Sequence, residues 1–242
     1  MQKKIVNLVS AIFVGLQLGF YIIILSGLSS NQNVMTFLPV ITAFIFSVVM
    51  LSKTRLSLFT TIALAFTVVS DVFLMLVTPR NQAVAMATFS VAQILHFLRL
   101  YNEMKSKKER FIHLCCRVAI SVIIEVIAVI VVKQAFDIVV ALSVFYFANL
   151  TLNVIVSFRY FKKSPYLAIG FLCFIMCDIF VGFSSAAGVY LNIPKTSILY
   201  PLAYPNFNYV HLFYVPSQTL IALSVTKYLQ NYDSVYKTKN VK

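Results

Sequence analysis

Read for its apolar and polar positions, the chain alternates long hydrophobic runs with short polar breaks. Eight runs stand out, at roughly 5–26, 34–51, 57–77, 82–101, 111–132, 136–159, 166–187 and 208–229. A bilayer core of about 30 Å takes roughly 20 helical residues at about 1.5 Å each, so every run matches one crossing. The breaks are short except for 192–207, where Pro194, Pro201 and Pro205 stand among several aromatics. That loop is expected at the membrane interface. Pro39 and Pro216 fall inside runs and are expected to kink them. The pattern predicts an all-α integral membrane protein with eight transmembrane helices. It forms one polytopic domain over 1–230, followed by a basic tail at 231–242.

Charge orients the bundle. With the N-terminus placed inside and the spans alternating, sixteen of the 20 basic residues fall on inner segments, among them Lys53, Arg55, Arg99, Lys107, Arg159 and Lys163. The outer segments hold three, Arg80, Lys133 and Lys195, while Arg117 lies within a span. This asymmetry is the positive-inside pattern and puts both termini in the cytoplasm, with the cell membrane as the expected location.

Composition agrees, with 60% of residues apolar and 11% charged. Soluble domains are about a quarter charged, so this chain cannot cover a water-facing surface. The net charge of +13 lies in short clusters between apolar runs rather than along one face, which argues against nucleic-acid binding. Cys115, Cys116, Cys173 and Cys177 all lie inside apolar runs and read as packing residues. The first run lacks a convincing cleavage site and reads as a span, not a removed leader. No phosphate-binding glycine loop, metal-ligand pair or nucleophile elbow appears, so no cofactor or metal is expected.

Chemistry-bearing residues lie inside the runs. Asp71, Glu125 and Asp178 occupy the third, fifth and seventh spans, which run the same way, each about 12–14 residues deep. Their depths agree within roughly 3 Å, which suggests one shared site. The competing reading makes each a protonated, hydrogen-bonded packing residue, with Glu125 serving Arg117 or a neighbouring helix. Polar residues also form stripes: Ser57, Thr60, Thr67 and Asp71; Gln93 and His96; Tyr146, Asn149 and Asn153; Asp178, Gly182 and Ser185; His211, Tyr214 and Gln218. A single polar residue in a span is usually interhelical glue. Five striped helices imply a polar cavity within the bundle.

The segment LAFTVVSDVFLML at 64–76 is echoed by LCFIMCDIFVGF at 172–183, each with a small residue, Ser70 or Cys177, before its aspartate. The echo suggests two parallel four-helix halves, each supplying one carboxylate. At these residues the chain resembles the YhhN-like lysoplasmalogenase family of eight-span membrane proteins. SDVFLML looks like the family's first aspartate motif, GFLCFIMCDIFVGF like its second, and YVPSQTLIALS, with Gln218, like its last span. The chain departs from the family pattern at Leu38, where a lysine usually precedes Pro39. It departs again at Ser70, usually glycine, and at Gln93 and His96, where a histidine and a tyrosine usually stand.

The resemblance implies hydrolysis of the vinyl ether bond of a lysoplasmalogen or a related lysolipid, releasing a fatty aldehyde and a glycerophospho-base. Its expected partners are the bilayer and a lysophospholipid-type substrate. Two carboxyl groups suit that chemistry. Protonation of the vinyl β-carbon creates an oxocarbenium ion, to which water adds. One acid must keep its proton, which withdrawal from water favours, while an ionised neighbour stabilises the cation. Asp71 and Asp178 are the expected catalytic pair. Thr67, Gln93, His96, Tyr146, Asn149, Asn153, Tyr214 and Gln218 are expected to bind substrate. A small transporter or ligand-binding membrane protein needs the same intramembrane carboxylates and polar cavity and is the alternative.

Overall fold

A computed structural model describes residues 3–28, 31–104, 106–187, 193–205 and 207–227. The predicted tail at 231–242 and the last two residues of the run 208–229 lie outside them. Among the described residues the regular structure is helical: α1 (Lys3–Ser26), α2 (Gln32–Val49), α3 (Arg55–Asp71), α4 (Gln82–Glu103), α5 (Lys107–Val132), α6 (Ile138–Arg159), α7 (Pro165–Ala186), the short α8 (Tyr200–Ala203) and α9 (Tyr209–Leu223). A π-helical turn, Val72–Leu76, continues α3. The chain is thus an all-α, multi-pass membrane protein. Seven of the predicted spans are helices long and apolar enough to cross a bilayer. The eighth, α9, is a helix of 15 residues.

Side-chain caps define where most helices start. Asn31, Thr54, Asn81, Ser106, Asp137 and Asn208 each accept a bond from a backbone N–H in the first turn that follows. These N–H groups have no partner within the helix, so a cap is worth about 1 kcal/mol. At the other end of α1, Gly27 takes φ +68, a left-handed conformation that glycine adopts without a Cβ penalty.

Side chains of α1 bond the backbone beside both intrahelical prolines. Pro216 has no N–H to offer the carbonyl of Leu212 one turn earlier. The Tyr21 hydroxyl of α1 donates to that carbonyl instead, at 3.3 Å. Pro39 is buried in α2, and Gln17 of α1 donates to its carbonyl at 2.9 Å and to Thr42 Oγ1 at 2.9 Å. Both proline-bearing helices are thereby tied to α1.

Packing places α2, α3, α4, α6, α7 and α9 around a core in which Leu64, Leu100, Leu150, Leu167, Phe171 and Ile221 are fully buried. By contrast, α5 packs chiefly on α6, and Val118, Val122, Val126 and Ile130 on it are more than half exposed. An apolar face of that kind calls for an apolar surrounding, which the hydrocarbon of a bilayer provides. The closer helix neighbours follow the predicted two-half arrangement in part. The pairs α1–α2, α2–α3, α3–α4 and α2–α9 correspond to α5–α6, α6–α7, α7–α9 and α4–α6 when the halves are exchanged. The contacts α1–α9 and α3–α9 have no such counterpart among the closer pairs.

Candidate active site

Asp71 closes the α-helical part of α3, where the backbone widens into the π-helical turn. Such turns re-aim the side chains that follow and recur at functional sites. The carboxyl group is 1% exposed and accepts a hydrogen bond from the Tyr214 hydroxyl of α9 at 2.6 Å. Asp178, partly exposed on α7, accepts one from the Tyr146 hydroxyl of α6. The rings of both tyrosines pack against Phe174 of α7. Four helices therefore deliver two acids and two phenols to one place.

Aromatic rings pack this cluster. Phe174, one turn before Asp178, lies 6.4 Å from the Tyr146 ring and 5.8 Å from the Tyr214 ring, centroid to centroid. Phe89 of α4 lies 5.5 Å from Tyr146. Ser70, beside Asp71, bonds Thr88 of α4 at 2.6 Å and joins those two helices. Neither phenylalanine was expected at the site, because an apolar residue in an apolar run gives no signal of its own.

The predicted binding residues divide into two groups. Gln218 is fully buried, and neither its Oε1 nor its Nε2 meets a protein partner. The same is true of Gln93 Nε2, His96 Nδ1 and Ser217 Oγ. His96 stands edge-on to Phe171 at 5.0 Å. Buried polar atoms are nearly always bonded, so these groups are left able to take a further partner. Thr67 is buried one turn before Asp71 but gives its hydroxyl to the Ala63 carbonyl.

Asn149 and Asn153 are committed elsewhere. Their Oδ1 atoms accept from Arg117 at 2.7 Å and 2.8 Å, and Asn153 donates onward to the Gln93 carbonyl and Oε1. They build a polar clamp between α4, α5 and α6. That clamp also answers what Arg117 bonds: two asparagines rather than Glu125. Glu125 sits on the peripheral α5, near the Phe145 backbone, and the close neighbour of its helix is α6, not α3 or α7. Equal depth along parallel helices did not bring it to the other two acids, because depth carries no information about azimuth.

Arg99 is the larger surprise. Counted from sequence with the inner-segment charges, it is fully buried, donating to Thr60 Oγ1 at 2.6 Å and Ser224 Oγ at 2.7 Å. A signal existed: Gln93, His96 and Arg99 are spaced by threes and share one face of α4. Two cavities lie at the basic end of the bundle, and neither is lined by Asp71 or Asp178. Among the described residues, no three His, Cys, Asp or Glu side chains cluster as metal ligands.

The profile of the YhhN family matches residues 7–225, which takes in every helix from α2 to α9 and most of α1. The chain belongs to the YhhN family. No curated protein and no solved structure matches it.

Proposed function

We propose that this YhhN family member is a membrane-embedded hydrolase that cleaves the vinyl ether bond of a lysoplasmalogen or a related lysolipid. The observation that carries the reading is that Asp71 and Asp178, from separate helices, each accept a bond from a tyrosine of a further helix, and that both tyrosine rings pack on Phe174. One carboxyl group gives its proton to the vinyl β-carbon, turning the ether into an oxocarbenium ion. The other, ionised, offsets the new positive charge and takes a proton from the water that attacks the α-carbon. The resulting hemiacetal loses the glycerol oxygen as an alcohol, leaving a fatty aldehyde. The first acid is restored by the proton released in these steps, so the carboxyl pair ends as it began.

Surrounding groups suit this division of labour. Tyr146 and Tyr214 hold the carboxyl groups in place, and Gln218, Gln93 and His96 offer unused donors and acceptors to a polar head or to water. The rings of Phe89 and Phe174 give the lipid an apolar wall.

Purified protein in detergent, with no ion gradient, is expected to release aldehyde from lysoplasmalogen. Asp71→Asn and Asp178→Asn should each lower the rate at least about a hundredfold, the loss typical of a removed general acid or base. Full activity in Asp71→Asn would end the two-carboxylate mechanism. Gradient-dependent uptake of lipid without cleavage would point to a carrier instead.

A further inference from the structure

An open cavity of about 430 Å³ lies at the basic end of the bundle. Three separate parts of the chain line it: Ser10 on α1, Lys162, Lys163 and Ser164 in the turn from α6 to α7, and Ser224 and Lys227 beyond α9. Three lysines, from two of these parts, thus line one space. Lys163 is steadied by the Tyr160 ring, 4.9 Å from its Nζ. Behind the wall, the buried Arg99 guanidinium bonds Ser224 Oγ at 2.7 Å and reaches Ser164 Oγ at 3.5 Å. Both serines line the cavity, so Arg99 lies just behind its wall. The first turn of α7 begins there too, with Pro165 among the lining residues, and brings the positive end of a helix dipole.

Cations gathered in this way repel one another. Lys227 is held below the usual lysine range, first by burial and then by Arg99 and Lys163, while Glu103 acts in the opposite sense. We infer that this cavity binds a phosphate group, a monoester or diester, between Lys162, Lys163 and Lys227 with the serine hydroxyls as further donors. Lysines serve phosphate as point charges, and basic pockets between helices at this level of a membrane hold phospholipid head groups.

The cavity is separate from the carboxyl pair. Ser164 and Asp178 stand fourteen residues apart along α7, which is about 21 Å. A lysolipid carries its phosphate only a few bonds from the first bond of its chain, so a reacting lipid cannot reach both places. The inference therefore stands independently of the proposed reaction.

The test uses the full chain, purified in detergent and stripped of lipid. Phosphatidic acid is titrated in one arm, with diacylglycerol as its phosphate-free control. Inorganic phosphate is titrated in the other, against chloride at equal ionic strength. Binding is read by native mass spectrometry and thermophoresis. Phosphatidic acid or phosphate should bind, and Lys162→Ala/Lys163→Ala/Lys227→Ala should weaken binding at least tenfold. The control Lys53→Ala/Lys107→Ala/Lys108→Ala, which removes equal charge from exposed positions at the same end, should leave it unchanged. Lipid binding alone identifies a head group as the ligand, and phosphate binding alone a soluble one. No binding in either arm, or equal loss in both triple variants, overturns the site. If the first triple variant is misfolded by size exclusion, Lys163→Glu carries the same comparison, with a loss of at least threefold expected.

Discussion

Arg117 lies 4.1 Å above the Phe97 ring centroid and donates to the side chains of Asn149 and Asn153. A charge this deep is stable only with such company, since an unpaired one costs several kcal/mol. A residue at the bundle's edge shows the same logic in water. Tyr160, just past α6, donates to Glu109 Oε1 at 2.5 Å, and Arg159 pairs with that carboxylate at 3.4 Å. Burial first, then the bond to Glu109, push the Tyr160 hydroxyl up from 10.0 to about 12. The fold favours the neutral phenol. Its stabilising contribution is therefore complete below pH 10 and is lost as pH rises through about 12. Ultraviolet titration of the protein against Tyr160→Phe should show one late-ionising tyrosine missing from the variant. Loss of a group that ionises near pH 10 would mean that the link between α5 and α6 is not formed. Sequence made Arg117 conspicuous but left its partners open, because a charge in a run announces a need without naming what meets it.

Helix α9 depends on a close approach that only one residue of α7 permits. A Cβ at Gly170 would stand 2.9 Å from Ile221 Cγ1, 3.1 Å from the Ile221 nitrogen and 3.2 Å from the Ser217 carbonyl. Two of these contacts are backbone and cannot swing aside. Gly170→Ala should lower stability by about 1–3 kcal/mol, the usual cost of overpacking. It should also loosen the Tyr214–Asp71 bond, since α9 carries Tyr214. Thermal unfolding in detergent checks the first effect, and an unchanged midpoint would mean that the two helices lie farther apart. At this scale the sequence was readable for the existence of helices and nearly silent on their irregularities. Residues 72–76 read VFLML, an apolar run like any other, yet they form the π-helical turn beside Asp71. Local propensity does not distinguish that turn from an α-helix, whereas packing on α2 and α4 does.

Over the whole molecule, the charged ends and the apolar flanks are separated. The cluster of Lys162, Lys163 and Lys227 shares its end of the bundle with Lys53 and Lys107, as the direction of each helix requires. If the positive-inside pattern orients the chain, cysteines introduced at Lys53 and Lys107 will react with an impermeant thiol reagent only from the cytoplasmic side. One at Arg80 will react only from the opposite side. The four native cysteines are first replaced by serine, and labelling of Arg80→Cys from the cytoplasm would reverse the orientation.

Much follows from the sequence without any coordinates. Length and hydropathy of the runs determined the helices, because a bilayer forbids unpaired backbone groups and leaves few other solutions. Helical spacing likewise determined that Asp71, Tyr146, Asp178, Tyr214 and Gln218 lie on polar faces within spans. Which faces meet was decided only by the tertiary packing. It joined Asp71 to Tyr214 and Asp178 to Tyr146, left Glu125 on a peripheral helix, and buried Arg99, which the charge count had set with the inner segments. The reason is geometric: a sequence states how deep and on which side of its own helix a residue lies, while the rotation of one helix against another depends on side chains that are distant in the chain.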